Sequence, residues 1–463
     1  MNVNPTSRQW PPVFVIAAVC LLIVLAAAAP ARGQDGRRPN VVLILVDDMG
    51  YGDIGSYGVQ DIKTPHLDRL AREGTRFTDF YANGPVCTPT RAALMTGRYQ
   101  QRVALEWALL LTEKEPGLPA AEPTLPRVLK ENGYRTAMAG KWHLGFRPEF
   151  GPRAHGFQEF FGILSGNVDM YSHKYRTGVA DLWEGDRPVE KDGYLTDLLT
   201  DRAVGFIESS AADPFFLYVA YNAVHWPFQV PGRPEDVRSE ETWYDGTRAE
   251  YARMLESMDS GVGRILAALD RLALVQHTLV IFTNDNGGER LSRNAPLFHH
   301  KGTLWEGGIR VPCLVRWPGK VRAGTVSRQV AGTFDLTATI LAATGTPPPH
   351  RRPPDGIDLL PILTHGRTVE RPLFWRIDRQ DRRQRAARVG RWKYLRDGAI
   401  DLLFDLNADP GERENLGYRE PARLADLRAQ VARWEEDVDK SGAEFPMNIG
   451  SGGVLRSKPG ASR

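Results

Sequence analysis

Two pairs of oxygen-bearing side chains each follow a run of β-branched and aliphatic residues. Asp47 and Asp48 come directly after Val41–Val46, and Asp285 and Asn286 come after a second such run. Open α/β sheets bind ligands outside the carboxyl ends of their strands, so both pairs are expected at one site. Either pair alone is more typical of a turn or a helix cap. Together, carboxylates and an amide form an all-oxygen set that suits Ca²⁺ or Mg²⁺.

A cysteine lies directly before a predicted helix. Thr88 can cap that helix, Pro89 suits its first position, and Gly97 suits its end. Cys87 would then lie at a helix N-terminus, where free amides and the helix dipole favour anions. Arg91 would add a fixed positive charge in the first turn. An inert buried cysteine is a common alternative, but the C-x-P-x-R spacing favours an anion site.

Lysine and histidine side chains elsewhere in the chain extend this set. Lys141 and His143 are two residues apart, so on an extended segment their side chains share a face. His225 follows an apolar run, and Lys301 precedes a glycine that permits close backbone approach. Each residue alone is more typical of a surface or structural role. Together with Arg91 and a metal, they describe a site for a tetrahedral oxyanion ester.

The segments around these residues predict an α/β protein. Val41–Val46, Phe215–Ala220 and Thr278–Thr283 have the continuous apolar character of strands buried on both faces. Glu250–Leu272 carries apolar residues at helical spacing. Strands that alternate with helices predict a large, mainly parallel sheet sandwiched by helices. Ile309–Val315 is a further predicted strand.

A smaller C-terminal α+β subdomain is expected beyond the proline-rich segment Gly345–Pro354. Short apolar runs predict its strands, and Pro421–Glu436 predicts an amphipathic helix. The five arginines of Arg379–Arg388 fit a solvated hairpin loop. The predicted strands are Leu373–Trp375, Ala387–Val389, Lys393–Leu395 and Leu402–Phe404.

The N-terminal residues have the pattern of a secretory signal peptide. Arg8 is followed by the apolar run Phe14–Ala29 and a small-residue cleavage site ending at Gly33. An uncleaved membrane anchor is the alternative, although the run is short for a bilayer span. We therefore expect a periplasmic or secreted protein. Its expected parts are a signal peptide (1–33), a catalytic domain (34–368), a C-terminal subdomain (369–440) and a flexible tail (441–463).

Composition excludes several other classes of protein. With 463 residues, 42% hydrophobic and 25% charged, the chain is an ordinary globular protein. A net charge of +3 is too small for a general polyanion binder, and no nucleic-acid motif occurs. The three cysteines, Cys20, Cys87 and Cys313, exclude a disulfide framework.

The segment C-T-P-T-R-A-A-L-M-T-G-R at Cys87–Arg98 closely resembles the signature of the formylglycine-dependent, arylsulfatase-like sulfatases of the alkaline phosphatase superfamily. Further motifs follow in the family's order, so the resemblance extends from about Pro39 to about Leu416. These motifs are V-D-D-M-G-Y-G-D at Val46–Asp53, G-K-W-H-L-G at Gly140–Gly145, H-W-P-F at His225–Phe228, N-D-N-G-G at Asn284–Gly288, H-K-G-T-L-W-E-G-G-I-R at His300–Arg310 and F-D-L-N-A-D-P-G-E-R-E-N-L at Phe404–Leu416.

The resemblance implies an alkaline-phosphatase-like fold and a metal-assisted nucleophile. Cys87 would be oxidised to formylglycine by a maturation enzyme and would work as its hydrate, in which one hydroxyl oxygen attacks sulfur. Asp47, Asp48, Asp285 and Asn286 would hold the metal, and an oxygen on residue 87 would be a further ligand. Calcium is favoured by the resemblance, with magnesium as the alternative.

The resemblance also implies roles for the cationic and titratable residues. Arg91, Lys141 and Lys301 would stabilise charge on the sulfuryl oxygens. His225, with Lys301, would protonate the leaving oxygen. His143 would take the proton of the second hydroxyl, so that sulfate leaves and the aldehyde is restored.

Several alternatives remain open at this point. A phosphonate monoester or phosphodiester hydrolase of the same superfamily could use the same nucleophile and metal, a non-catalytic protein could retain the fold, and a membrane-anchored structural protein could carry the uncleaved leader. The substrate is expected to be a carbohydrate or aryl sulfate. Asp169, His173 and Trp226 are of the kind that hold sugars, or else they only form loop structure.

Overall fold

The fold is described from a computed structural model of the chain, which covers Met1, residues 37–113, residues 115–445 and Asn448. The chain divides into two units, residues 1–38 and 39–463, and all contacts below belong to the second unit. Met1 apart, the expected signal peptide lies outside the described residues, and so does most of the expected tail. Among the described residues, no helix combines the length and the apolar character that a bilayer span requires.

Strands and helices alternate over the first three quarters of the unit, and strands dominate thereafter. In chain order the strands are β1 (Asn40–Val46), β2 (Thr75–Phe77), β3 (Phe80–Tyr81), β4 (Arg135–Lys141), β5 (Glu159–Ile163), β6 (Trp183–Glu184), β7 (Arg187–Pro188), β8 (Phe215–Ala220), β9 (Thr278–Asn284), β10 (Cys313–Arg316), β11 (Thr325–Ser327), β12 (Ala331–Gly332), β13 (Pro372–Asp378), β14 (Arg383–Val389), β15 (Trp392–Asp397) and β16 (Ile400–Asp405). The helices are α1 (Pro65–Glu73), α2 (Cys87–Thr96), α3 (Leu125–Glu131), α4 (Leu195–Ser209), α5 (Arg248–Arg271), α6 (Glu306–Ile309), α7 (Thr333–Thr344), α8 (Leu360–His365) and α9 (Pro421–Gly442).

A large mixed sheet forms the centre of the described part of the chain. Its ten strands, counted over the described residues, have the order β11-β2-β10-β9-β1-β8-β4-β5-β6-β7. Strand β1 pairs in parallel with both β8 and β9, and β4 pairs in parallel with β8. The register places Val46 beside Asn284 and Leu45 beside Ala220. The carboxyl ends of these strands therefore lie at one edge of the sheet, where the acidic pairs follow.

Both faces of the central sheet are covered, as the continuous apolar run of β1 predicts. Val42 and Ile44 belong to a core with Leu255 of α5, on one face. Alternate residues of the same strand pack on the other face with Leu94 of α2 and Ile340 of α7. Fully burying an aliphatic side chain contributes about 1.5–3 kcal/mol, so this two-sided burial fixes the sheet firmly. The predicted helix-covered, mainly parallel sheet is confirmed.

A separate four-stranded antiparallel sheet, in the order β13-β14-β15-β16, forms the C-terminal part. Helix α9 packs on it through Leu427 and Val431, in a core that also contains Leu304 and Ile309 from the segment before β10. The predicted C-terminal strands are confirmed, and each is longer than its apolar run; their antiparallel pairing is seen in the structure. The boundary predicted at residue 368 falls between α8 and β13 and stays a prediction.

Two local predictions about segments away from the acidic pairs are wrong. Ile309 ends α6 instead of starting a strand, and β10 begins only after Pro312, which has no amide hydrogen to give to a ladder. The segment Arg379–Arg388 is not a solvated loop, because most of it belongs to β14. Arg388 is buried and pairs with Asp79 at 3.2 Å, so this arginine supports the interior.

Candidate active site

The two oxygen-bearing pairs lie side by side at the carboxyl edge of the central sheet. The amide of Asp285 donates to the carbonyl of Val46 (3.1 Å), which aligns the end of β9 with the end of β1. Asp48 turns the chain with a φ of +62°, and its Oδ1 accepts from Nδ2 of Asn286 at 2.7 Å. All four side chains, including that of Asp47, are buried. The structure brings these sequence-predicted residues together.

Cys87 faces the first of these pairs. Its Sγ lies 3.4 Å from Oδ1 of Asp47. Helix α2 begins at Cys87 itself with Val86 as the N-cap, so the expected cap at Thr88 is wrong. The Thr88 hydroxyl instead donates to the carbonyl of His143 at 2.9 Å. Burial raises the pKa of the Cys87 thiol, and Asp47 raises it further, although Lys141 opposes this.

Two cationic side chains neutralise the carboxylates from inside the pocket. Arg91 donates from Nε and Nη2 to the same Oδ2 of Asp285, at 3.0 and 2.8 Å. Its Nη1 donates to the carbonyl of Lys141 at 2.7 Å, and the ammonium of Lys141 donates to Oδ2 of Asp47. Burial opposes the charge on Arg91, but Asp285, Asp47 and other neighbouring groups together outweigh it and raise the pKa of the guanidinium.

Lys301 and His225 meet Asp48 from the outer side. Nζ of Lys301 donates to Oδ2 of Asp48 at 2.6 Å, and Nε2 of His225 lies 3.5 Å from the same oxygen. Burial favours the neutral form of Asp48, but nearby positive charge outweighs it and lowers the pKa of Asp48, with Lys301 contributing most by its charge and its hydrogen bond and Lys141 adding to it. Nδ1 of His225 donates to the carbonyl of Trp226 at 2.7 Å. Burial and Lys301 lower the pKa of His225 to about 3, so its ring is neutral.

His143 does not continue the extended segment that was expected after Lys141. Strand β4 ends at Lys141, and His143 has a φ of +57°, which turns the backbone out of the strand. Nε2 of His143 lies 2.8 Å from the carbonyl oxygen of Leu109, which can only accept, so Nε2 carries the ring hydrogen. Nδ1 is buried, and no described residue forms a hydrogen bond with it. Burial and Lys141 lower the pKa of His143, which leaves Nδ1 as a free acceptor.

The donor set in this pocket fits a hard divalent cation. Oδ1 of Asp285 and Oδ1 of Asn286 are both buried with no hydrogen-bond partner among the residues that the structure describes. Such atoms are costly unless something satisfies them, and oxygen ligands suit Ca²⁺ or Mg²⁺. A group of possible ligand atoms, all within 4.8 Å of one another, is supplied by Asp47, Asp48, Cys87 and His225. The histidine was expected only as a proton carrier, although its position after β8 already placed it at this edge.

The residues considered for sugar binding have different environments. The carboxylate of Asp169 is buried and accepts from the amides of Tyr171 and Ser172 at 3.0 and 2.8 Å, so it forms loop structure. His173 is also buried. Trp226 is half-buried, and its ring centroid lies 4.1 Å from that of His225. Trp226 alone of these three combines partial exposure with a contact to the pocket.

A supporting contact was missed because its two residues lie on distant segments. The hydroxyl of Tyr251, on α5, donates to Oδ2 of Asp53 at 2.6 Å and accepts from the amide of Gly50 at 3.3 Å. A Cβ on Gly50 would lie 2.5 Å from that same carboxylate oxygen. Asp53 is fully buried, so this cluster holds the turn after Asp48. The helical pattern identified Tyr251 only as a core residue.

Comparison with known proteins identifies the family. The sulfatase family profile matches residues 39–346, and a profile described as N-sulphoglucosamine sulphohydrolase, C-terminal, matches residues 297–437. N-acetylgalactosamine-6-sulfatase of Mus musculus is 37% identical over 385 residues, which cover 78% of this chain and 72% of the relative. Arylsulfatase A of Homo sapiens is 37% identical over 455 residues, 86% of each chain.

A solved structure is also similar to this chain over most of its length. The structure of Ps i-CgsB in complex with k-i-k-neocarrahexaose superposes with a TM-score of 0.81 at 30% identity, and the match covers 89% of this chain and 98% of that one. The predicted family and the predicted enzyme class are both confirmed. The chain belongs to the sulfatase family, whose members hydrolyse sulfuric esters.

Proposed function

We propose that this sulfatase is exported and cleaves a carbohydrate or aryl sulfate with a formylglycine formed from Cys87 and a bound Ca²⁺. The position of Cys87 carries the proposal. It lies buried in the first turn of α2, 3.4 Å from Asp47 and among groups that suit an anion and a metal. The hydrate of formylglycine would supply two oxygens on one carbon, one to take the sulfuryl group and one to expel it.

Calcium is proposed as the resident cation, with magnesium as the alternative. Asp47, Asp48, Asp285 and Asn286 would hold it, together with an oxygen on residue 87. The three carboxylates are already matched by the charges of the three basic side chains that contact them. A divalent cation would therefore make the pocket positive, as a sulfate ester requires. When bound, it would act as a Lewis acid toward the sulfate and the nucleophile.

Three basic side chains are proposed to bind the sulfuryl oxygens. Arg91 and Lys141 are fully buried and held by Asp285 and Asp47, so their charges are fixed before substrate arrives. Lys301 is 15% exposed and approaches from the outer side. Donors fixed in advance stabilise charge that develops during reaction without reorganising, which is the main electrostatic contribution expected here.

The two histidines are proposed to move protons at defined ring atoms. His225 fixes its Nδ1 hydrogen on the Trp226 carbonyl, so Nε2 is the ring atom left for proton transfer. Nε2 carries no hydrogen in the neutral ring, so it would first take up a proton and then deliver it to the leaving oxygen. Lys301, which shares Asp48 with His225, would assist this step. His143 fixes its Nε2 hydrogen on Leu109, so Nδ1 is the atom that takes a proton as sulfate leaves.

A saccharide or aryl group is the proposed carrier of the sulfate. Half-buried Trp226 contacts His225, and Tyr244 packs edge-on against it with ring centroids 4.6 Å apart. Aromatic rings of this kind offer a flat apolar face to a sugar or an arene. The names of the relatives, an N-acetylgalactosamine-6-sulfatase and an arylsulfatase, support the same two classes.

A panel of esters tests the activity directly. Sulfate release should be measured from an aryl sulfate and from sulfated mono- and oligosaccharides, with a phenyl phosphonate monoester and a phosphodiester as comparison. We expect the highest kcat/KM for a sulfate ester. A higher kcat/KM for the phosphonate or the phosphodiester would contradict the proposal. Export is tested by cell fractionation and N-terminal sequencing, which should place the mature N-terminus near Gln34.

A further inference from the structure

We propose that Arg382 and Gln384, on the C-terminal antiparallel sheet, are positioning residues that place Lys301 in the active site. This inference rests on the proposed function, in which Lys301 binds a sulfuryl oxygen and assists His225. It assigns the C-terminal sheet a part in the reaction, although no residue of that sheet was expected at the site.

Lys301 does not lie on a strand of the central sheet. It belongs to the segment between β9 and α6, and besides the contact of its side chain with Asp48 its backbone is bonded to the catalytic edge. Its amide donates to the carbonyl of Gly288 at 3.1 Å, and the amide of Gly302 donates to the carbonyl of Pro85 at 2.8 Å. Those partners follow the Asp285 pair and precede Cys87 respectively. The N–H groups of Lys301 and Gly302 are thus satisfied by the catalytic side.

The opposite side of the same segment is held by the C-terminal sheet. Nη1 of Arg382 donates to the carbonyl of Gly302 at 2.7 Å. Oε1 of Gln384 accepts from the amide of Leu304 at 2.8 Å. Arg382 lies in the hairpin turn before β14, and Gln384 is buried within that strand. Two neighbouring side chains therefore fix two backbone groups within three residues of Lys301.

A buried ion cluster anchors the end of the segment to the same sheet. Nζ of Lys393, on β15, lies 3.0 Å from Glu306 and 2.7 Å from Glu412, and the amide of Glu306 donates to Glu412 at 2.7 Å. Breaking a buried pair leaves an uncompensated charge and destabilises strongly. The cluster therefore holds the segment and the C-terminal sheet in a fixed relative position. Substituting its residues would destabilise the fold, so such variants would not test positioning.

The backbone hold matters because the lysine side chain is long and flexible. Gly302 has a φ of +82°, a conformation that favours glycine. Because glycine has no side chain, packing at this position does not hold the segment. Without Arg382 the Gly302 carbonyl loses its hydrogen bond. The backbone at Lys301 is then held less firmly, so Nζ of Lys301 is placed less accurately for its 2.6 Å contact with Asp48. A misplacement of about 1 Å can cost about 100-fold in rate.

Single substitutions give the first readout. In matured enzyme with matched metal content and matched oxidation of residue 87, Arg382→Ala should lower kcat by about 10- to 100-fold with little change in KM. Arg382→Lys, which keeps a donor, should restore part of that loss. The matched control is Arg383→Ala, since the neighbouring Arg383 is 65% exposed and pairs with Asp378 instead. Gln384→Ala and Gln384→Glu form a second pair of variants, which test the hydrogen bond between Gln384 and the amide of Leu304.

A double-mutant cycle with Lys301→Ala separates positioning from other roles. If Arg382 acts only through Lys301, adding Arg382→Ala to Lys301→Ala should cost less than about 2-fold. A full penalty in the Lys301→Ala background, or no penalty for Arg382→Ala alone, would overturn the positioning proposal and leave the proposed function intact. Undiminished activity of Lys301→Ala alone would instead overturn the role proposed for Lys301.

Discussion

Arg91 donates two hydrogen bonds to a single carboxylate oxygen of Asp285 and leaves the other oxygen bare. Both contacts, at 3.0 and 2.8 Å, are made to Oδ2, while Oδ1 is buried with no hydrogen-bond partner in the described part of the chain. Burial and Asp47 raise the pKa of Asp285 to about 6, despite Arg91. An arginine that takes only one oxygen leaves the second for another cation, so the arrangement is that of a ligand held in orientation.

Metal analysis follows from this relationship. Extensively dialysed protein should retain a hard divalent cation, calcium before magnesium, because the pocket offers oxygen ligands. Inductively coupled plasma measurement gives the identity and the stoichiometry. Stoichiometric zinc, with activity that tracks zinc content, would refute the assignment.

Asp285→Ala should lose both the metal and the activity. The substitution removes a charged ligand and also leaves the buried Arg91 without its main partner. We expect a loss of stability of about 3–5 kcal/mol in addition, because half of a buried pair remains. Asp201→Ala is the control, since Asp201 is exposed and pairs with Arg264. Retention of metal and activity in Asp285→Ala would contradict the ligand set.

His225→Ala should affect poor leaving groups more than good ones. A proton from Nε2 matters most when the leaving alcohol is basic, so kcat should fall by about 100- to 10,000-fold for an alkyl or sugar sulfate. For an activated aryl sulfate the loss should be much smaller. Rates for a series of esters of graded leaving-group pKa measure this. Equal losses across the series would assign His225 to another task, such as metal binding.

The strands and the edge that carries the site could be predicted from local sequence. The apolar run of β1 needs burial on both faces, and a ligand site at the strand ends follows from that architecture. Asp47, Asp48, Asp285 and Asn286 were therefore found from their places after β1 and β9. The positions of these strands and of the residues that follow them depend on apolar runs of only a few residues, so short stretches of sequence are enough to predict them.

The contacts that hold the site together could not be predicted in this way. Tyr251 supports Asp53 from 198 residues away, and Arg382 reaches Gly302 across 80 residues. Local sequence patterns do not predict such pairs, because each residue fits the pattern of its own segment without its distant partner. The turn at His143, with a φ of +57°, was missed since an extended segment fits its neighbours equally well.

Asp259 should make stability depend on pH in the opposite sense to an ordinary paired carboxylate. It is buried on α5 and accepts from the amides of His66 and Leu67 at 3.2 and 2.8 Å, yet burial raises its pKa from 3.8 to about 6. The folded state then binds more protons than the unfolded state between these pH values. Stability from this group is full below the lower value and falls as pH rises through about 6.

Asp259→Asn tests that sign. The free energy of unfolding of the wild type, relative to the variant, should fall by up to about 3 kcal/mol between pH 4 and 6. Urea denaturation at several pH values measures it. A relative stability that rises over the same window would mean that the amide hydrogen bonds outweigh burial.

Cys313 should prove structural and unrelated to the chemistry. It is fully buried in the core on the α2 side of the sheet, and its backbone exchanges hydrogen bonds with the hydroxyl of Tyr57. Cys313→Ser should cost about 1–3 kcal/mol, because it buries a hydroxyl in an apolar site. Cys313→Ala is the comparison. Activity per folded molecule should stay unchanged, and a specific loss of kcat in either variant would contradict this.

The most direct measurement concerns residue 87. Tandem mass spectrometry of the tryptic peptide Phe77–Arg91, from the same preparation that is assayed for sulfate release, gives the chemical state of Cys87. We predict that activity scales with the fraction of formylglycine. Cys87→Ser, or protein from a host that lacks the maturation enzyme, should fold but hydrolyse sulfate esters very poorly. Fully active enzyme with only unmodified cysteine at position 87 would contradict the proposed mechanism.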